Sequence, residues 1–176
     1  MKRFDRNQKG FTLIELLVAI PIAGIVVLAS TAGIIQLMHS RDIDAGVLAI
    51  RQVQTAGNWV MRDGVQAQQV IINSDDGFPL VLKWTRYDTN QSYEVSYSLV
   101  SAGAGGLMNL ERTETINGGN PSTHMVGQYL VVDGRSTSCW WEPVQSGLPR
   151  EFTIRLTADV GQTREFREYT VKPRVL

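Results

Sequence analysis

A single carboxylate lies inside the longest apolar stretch of the chain. Residues 11–38 contain one charged side chain, Glu15. An ionised carboxylate at membrane depth is energetically costly, so its presence indicates a function and a partner of opposite charge. The alternative interpretation is a stray charge that is tolerated near the membrane interface.

The residues around Glu15 have the pattern of a membrane anchor. A helix of about 20 residues crosses the hydrocarbon core of a bilayer, and the stretch over residues 11–38 exceeds that length. A secretory signal peptide has an apolar core of only about 7–15 residues, so this stretch is too long to be one. A positive cluster before an apolar run marks the cytoplasmic flank, and the first ten residues contain Lys2, Arg3, Arg6 and Lys9 against Asp5.

The charge balance and the single cysteine give no sign of nucleic-acid binding or of a disulfide-stabilised fold. The chain has 176 residues, with 17 Lys and Arg balanced by 17 Asp and Glu, so no global charge attracts nucleic acid. The one cysteine, Cys139, has no internal partner for a disulfide. We therefore expect one small domain that is stabilised by its hydrophobic core, without an internal disulfide.

A second helical segment follows the membrane stretch. From residue 43 the apolar residues recur at steps of three and four, which is typical of an amphipathic helix. The predicted core stripe consists of Ile43, Val47, Ile50, Val53, Val60 and Met61, with Gly57 and Gly64 on or near it. Asp63 belongs to the predicted polar side. A loop signal begins at Asn73, so we predict one helix from about residue 12 to residue 72, containing Pro21.

The remaining sequence alternates with the period of two that is typical of strands. We predict six strands with short connections, and therefore an antiparallel sheet of hairpins with the helix over one face. Their ranges are 79–87, 92–100, 107–115, 125–133, 151–159 and 164–172. The predicted fold class is α+β: a long N-terminal helix, half membrane-spanning and half amphipathic, packed on an antiparallel β-sheet head.

Other candidate sites are weaker. His39 and His124, the Asp42/Asp44 pair and the Asp75-Asp76 turn do not have the spacing of a metal site, so we predict no metal and no cofactor. No nucleophile and base pattern indicates an enzyme. Two interpretations of Cys139-Trp140-Trp141 stay open, a core anchor for a long connection or an exposed aromatic contact for a partner.

Residues 9–18, KGFTLIELLV, closely resemble the processing site of type IV prepilins and of type II secretion pseudopilins. The resemblance implies cleavage between Gly10 and Phe11 by prepilin peptidase and N-methylation of Phe11. It also implies that Glu15, the fifth residue of the mature chain, pairs with the N-terminal amine of a neighbouring subunit. Pro21 departs from the pattern, because many members carry this proline about ten residues further along.

The resemblance divides the chain and gives it partners. The implied segments are a cleaved leader (1–10), a transmembrane assembly helix (11–38), an amphipathic helix that continues into the head (39–72) and a β-rich head (73–176). The implied partners are other pilins or pseudopilins, the peptidase and the inner-membrane assembly platform. The implied location is the bacterial inner membrane, with a single pass and the head on the periplasmic side, and then a pilus or pseudopilus.

The head resembles those of the larger minor pilins, of the J and W types. The resemblance lies in a hairpin that carries Tyr97-Ser98-Leu99 and Leu110-Glu111-Arg112. It implies a minor pilin or pseudopilin that performs no chemistry. The alternative is a pilin-like tip protein whose head captures DNA, a surface or a secreted substrate. Nucleic acid is the less favoured ligand, because Glu165 and Glu168 lie among the candidate basic residues.

Overall fold

One helix and eight strands make up the described chain. A computed structural model describes residues 12–73, 76–103, 105–143, 150–161 and 163–174, except for the side chains of His39 and Asp42. The elements are α1 (Leu13–Gly64), β1 (Gln69–Ile72), β2 (Leu80–Arg86), β3 (Gln91–Ser101), β4 (Leu107–Ile116), β5 (Ser122–Val131), β6 (Ser138–Trp141), β7 (Phe152–Val160) and β8 (Thr163–Val171). Residues up to Arg41 and residues from Asp42 form two compact units.

The first unit contains the apolar part of α1. This part is long and apolar enough to cross a membrane, judged by length and composition. The helix is unbroken at Pro21. Two hydroxyls in the segment bond back to their own helix, Ser30 Oγ to the Val26 carbonyl at 2.8 Å and Thr31 Oγ1 to the Val27 carbonyl at 2.9 Å. Because each hydroxyl has an acceptor within the helix, neither is left unpaired in an apolar surrounding.

The second unit is built on one antiparallel sheet. The strands follow the order β1-β2-β3-β4-β5-β7, and β8 pairs along the whole of β7. A strand has two edges, so β5 and β6 share the other edge of β7, through Leu130↔Ala158 and Ser138↔Arg155 respectively. All six predicted strands are present, and the α+β fold class is confirmed.

Small residues bring the second half of α1 close to the sheet. Ala49, Val53, Ala56 and Val60 are fully buried at the centre of the core. Gly57 packs against the Tyr169 ring, and a Cβ on Gly64 would lie 2.7 Å from Val171 Cγ1. The buried sheet residues include Leu80, Leu82, Val95, Leu110, Leu130, Phe152, Ile154 and Leu156. Each large side chain buried in this way contributes about 1.5–3 kcal/mol to folding.

A bulge in the sheet is also tied to the helix. The register of β4 against β5 shifts around Leu110, and Tyr129 has a positive φ of 59°. An irregularity of this kind leaves backbone groups without ladder partners. The Gln52 side chain on α1 accepts the Gln128 N–H at 2.9 Å, which satisfies one of them.

The prediction of a helix to residue 72 was wrong. The helix ends at Gly64, and Gln69–Ile72 forms β1, which pairs with β2. The run of Val70, Ile71 and Ile72 is β-branched, and such residues favour a pleated strand once an edge is available. The edge belongs to Leu80–Lys83, which a local pattern search does not connect to residue 70.

The predicted core stripe was also partly wrong. Ile43, Val47 and Met61 are exposed by 60%, 45% and 37%, whereas Val53 and Val60 are buried as expected. The buried stripe follows Ala49, Val53, Ala56, Val60 and Asp63. The sheet selects the face that allows closest approach, which here is the face with the small residues.

Candidate assembly site and buried ion-pair cluster

Glu15 lies in the first turn of α1 and caps the helix. Thr12 precedes the first helical residue, and its backbone N–H donates to Glu15 Oε2 at 3.4 Å. In return, the Glu15 N–H donates to Thr12 Oγ1 at 3.4 Å. This reciprocal pair is a capping box, which satisfies two donors that a helix start leaves free. The signal was present in the sequence as Thr12-Leu13-Ile14-Glu15, and our prediction had not used it.

The cap leaves the carboxylate accessible. Glu15 is exposed, and its contacts with Thr12 are long, between 3.4 and 3.5 Å. An ionised carboxylate has about four acceptor positions, so most of its capacity stays free. A negative group is also favoured at a helix N-terminus by the helix dipole. Gly10 and Phe11, the predicted processing residues, lie outside the described residues.

A buried charge cluster joins the end of α1 to the β3–β4 hairpin. Asp63 is 1% exposed, and its Oδ2 accepts a hydrogen bond from the Tyr97 hydroxyl at 2.6 Å. The same oxygen accepts one from Arg112 Nε at 2.6 Å. Tyr97 and Arg112 are cross-strand partners in the β3–β4 register, so the two strands present both donors side by side.

Further contacts surround the Arg112 guanidinium. Its Nη1 lies 3.0 Å from Glu114 Oε2, and the Trp59 ring lies 5.0 Å from its Cζ. The exposed Arg62 also contacts this ring, with its Cζ 3.8 Å from the ring centroid. The described residues leave no buried side-chain nitrogen or oxygen without a hydrogen-bond partner. The cluster is therefore fully satisfied, which a buried charge requires.

The surroundings stabilise one protonation state of each donor. Burial disfavours the charge of Arg112, but hydrogen bonds to Asp63 and Glu114 outweigh it and raise the pKa of the guanidinium further above its usual value. Burial, and then the negative charge of Asp63, raise the pKa of Tyr97 above its usual value. The cluster therefore consists of a charged arginine, a neutral tyrosine and the Asp63 carboxylate, with no reactive group.

The position of Asp63 contradicts the prediction that it faces solvent. Its partner Arg112 lies 49 residues along the chain, beyond the reach of a local periodicity argument. The hairpin itself pairs as its motif implies, with Tyr97 opposite Arg112 and Leu99 opposite Leu110. The motif thus supplies two donors to one helix carboxylate.

Cys139 and its two tryptophans form β6. Cys139 is 4% exposed, and burial raises the pKa of its thiol to about 12, so it is an unreactive core residue. Trp141 meets Phe152 edge to face at a centroid distance of 6.1 Å. These contacts confirm the core-anchor interpretation for Cys139 and Trp141. Trp140 is half-buried, 6.0 Å from the Arg155 guanidinium.

Within the described ranges, no three His, Cys, Asp or Glu residues are placed to hold a metal ion. His124 is exposed on β5, where its Nε2 lies 3.1 Å from Ser122 Oγ. The His39 side chain is outside the described part of the chain.

Comparison with known proteins bears on the N-terminal segment. Residues 5–31 match the family model described as the prokaryotic N-terminal methylation motif. The match includes Gly10, Phe11, the Thr12–Glu15 cap and the first half of the apolar helix. It supports a type IV pilin-like protein. No curated protein matches the chain, and no solved structure matches it.

The motif and the helix together have three consequences for a pilin-like chain. They imply processing by prepilin peptidase, assembly with pilins and association with a membrane. The apolar first unit of α1 fits a membrane-anchored pilin. The head begins after the matched residues, so the family match says nothing about its identity.

Proposed function

We propose that the chain is a minor pilin or pseudopilin, a non-enzymatic structural subunit of a type IV pilus or of a type II secretion pseudopilus. The observation that carries this proposal is the methylation motif, which ends inside an apolar helix that is long enough to cross a membrane. The described head adds a core in which every buried side-chain nitrogen and oxygen has a hydrogen-bond partner.

Processing follows from the motif. Prepilin peptidase cuts between Gly10 and Phe11, and the new N-terminus is methylated on Phe11. The basic leader keeps the cut at the cytoplasmic face of the bacterial inner membrane. The helix then spans the membrane once, and the head faces the periplasm before the subunit enters the filament through the assembly platform.

Glu15 recruits the subunit into the filament. Cleavage would create an amine at Phe11, and in a bundle of such helices the amine of one subunit pairs with Glu15 of its neighbour. The accessible carboxylate and its long contacts with Thr12 support this role, because the carboxylate oxygens of Glu15 can still accept further hydrogen bonds. A charge pair in a low dielectric costs desolvation, so its main effect is to fix the axial register of the helices.

The minor subtype is supported by the hairpin. The hairpin motif that resembles the J-type and W-type minor pilins is Tyr-x-Leu followed by Leu-x-Arg. In this chain the Tyr and the Arg of that motif, Tyr97 and Arg112, both donate a hydrogen bond to Asp63. A tip protein that captures DNA, a surface or a secreted substrate is the second candidate. The observation that favours it is the exposed Phe166, 62% accessible among arginines on β7 and β8.

The experiment is incorporation of Glu15→Ala into sheared filaments or pseudopili, with membrane levels measured in parallel. We expect the variant to be processed and held in the membrane and to be absent from filaments. Mass spectrometry of assembled material should give an N-terminus at methylated Phe11. An intact Met1 in that material would contradict the processing step.

A further inference from the structure

An open cavity of about 310 Å³ lies on the outer face of the sheet, above β7 and β8. Arg155 and Thr157 project from β7 on the side opposite the core residues Ile154 and Leu156, because side chains alternate along a strand. Phe166 on β8 is the cross-strand partner of Thr157. The remaining lining residues are Arg135, Ser136 and Arg164.

The connection between β5 and β6 forms one wall, and it is fixed to the sheet. Thr137 is fully buried, and its Oγ1 accepts the Thr157 N–H at 3.2 Å. The Thr157 hydroxyl donates to the Ser136 carbonyl. The backbone next to Arg135 is therefore held against β7, so that residue is positioned by the fold.

The charged residues that line the cavity are all arginines. Three of its residues are arginines and two carry hydroxyls, and none of the described lining residues is a carboxylate. Arg155 is engaged by Glu168, with Nε 2.7 Å from Oε1. Arg164 lies 3.5 Å from Asp133 and 3.5 Å from Asp159, and both distances are long for an ion pair. No carboxylate in the described ranges forms an ion pair with Arg135.

We propose that this cavity binds a carboxylate side chain from an acidic peptide segment of a partner protein. Guanidinium groups bind carboxylates through paired N–H donors, and Arg135 and Arg164 have donors to spare. The adjoining Phe166 ring, 62% exposed, covers an apolar neighbour of that carboxylate. Arginine beside an aromatic residue is also the composition of an interface hot spot.

A peptide fits the surface better than nucleic acid does. Asp133, Asp159 and Glu168 stand around the cavity, each in contact with one of its arginines. These carboxylates confine the positive electrostatic potential to the cavity itself. Binding of a nucleic-acid backbone requires a continuous row of basic side chains along the phosphates. A single carboxylate needs only the local donors. The inference concerns the head alone and does not depend on how the N-terminus is processed.

The test measures fluorescence anisotropy with the full chain in nonionic detergent. The probe is an amidated Leu-Glu-Leu-Glu-Leu peptide that carries an uncharged fluorophore, and the matched peptide replaces both glutamates by glutamine. Arg135→Gln removes the free guanidinium without breaking an internal ion pair. Arg167→Gln is the control, because it removes an exposed arginine from the face of β8 opposite to Arg164 and Phe166.

We expect the glutamate peptide to bind about tenfold more tightly than the glutamine peptide, because the glutamine peptide cannot form charge-assisted hydrogen bonds with the arginines. Arg135→Gln should weaken binding by a similar factor and Arg167→Gln by less than about twofold. Equal binding of the two peptides, or equal losses in the two variants, would overturn the proposal. So would displacement of the peptide by inorganic phosphate or oligothymidylate at a lower concentration than by free peptide.

Discussion

Arg112 Nε lies 2.6 Å from Asp63 Oδ2, in a pair whose side chains are 4% and 2% exposed. The pair connects the last turn of α1 to the middle of β4, and Tyr97 adds a second donor to the same oxygen. Replacing a buried pair by apolar residues is often neutral, but removing one partner leaves a buried charge uncompensated. The contact therefore acts mainly on the register of the helix against the hairpin.

Asp63→Asn should destabilise the head by about 3–5 kcal/mol. The amide has no charge to offset Arg112, which stays ionised in a buried position with the partly exposed Glu114 as its remaining acidic partner. The measurement is urea unfolding of a fragment that begins at Asp42, because every buried hydrophobic residue of the described core lies after that point. The matched control combines Asp63→Leu, Arg112→Met and Tyr97→Phe, so that no buried donor loses its acceptor, and it should recover most of the loss. A triple variant as unstable as Asp63→Asn would show that charge compensation is not the cause.

Tyr97→Phe should cost less, about 1.5–3 kcal/mol, the range for a hydrogen bond to a charged acceptor. Asp63 loses one donor but keeps Arg112, so no ion is left unpaired. The same urea titration measures the change. Combining Tyr97→Phe with Asp63→Asn should cost less than the sum of the two, since both remove the same bond. Strict additivity would mean that Tyr97 acts through packing alone.

The sequence predicted those structural elements that are determined by residues close together in the chain. Alternation over stretches of nine residues predicted all six longer strands. The four-residue strands β1 and β6 escaped, because Val70–Ile72 also fits a helical end and Cys139–Trp141 is too short to alternate. The capping box at Thr12 and Glu15 was readable in advance. The burial of Asp63 was not, because it depends on a partner that the sheet register brings from 49 residues away.

Gly57→Ala should destabilise the head by about 1–3 kcal/mol, the usual cost of overfilling a packed core. The added methyl group would overlap the Tyr169 ring. That ring cannot easily move, because its hydroxyl donates to the Val53 carbonyl at 3.2 Å. Thermal unfolding of the fragment from Asp42 measures the effect.

Gly46→Ala is the control for helix propensity. Its Cβ would meet Thr163 Cγ2 at 3.5 Å, an ordinary contact. Alanine favours a helix over glycine by up to about 1 kcal/mol, so this variant should be neutral or more stable. If Gly57→Ala is stabilised as Gly46→Ala is, close packing of α1 on Tyr169 is not a determinant of stability.

Alkaline pH should destabilise the head through Cys139. The ordinary thiol pKa is 9.0, and burial raises the pKa of Cys139 to about 12 in the folded protein. Between these values the unfolded thiol loses its proton while the folded one keeps it. Stability therefore falls as pH rises through this window, with a slope approaching about 1.4 kcal/mol per pH unit.

Urea titrations at pH 9 and pH 10 test this prediction. The ordinary pKa of Tyr97 is 10.0 and the fold raises it, so the titration of Tyr97 changes the stability little below pH 10. Cys139→Ala should reduce the pH dependence over that interval while lowering the stability at neutral pH. An unchanged slope in Cys139→Ala would assign the alkaline transition to another group.

Two substitutions separate the capping role of Glu15 from its role in assembly. Thr12→Ala removes the capping hydroxyl and leaves the carboxylate, whereas Glu15→Ala removes both functions. A lost cap costs about 1 kcal/mol, which a helix held by a membrane tolerates. We therefore expect Thr12→Ala subunits in sheared filaments at close to wild-type levels and Glu15→Ala subunits to be missing, with equal amounts of both in the membrane fraction. If Thr12→Ala is excluded as strongly, the capping of α1 is what the filament requires, and the Glu15 charge has no separate role.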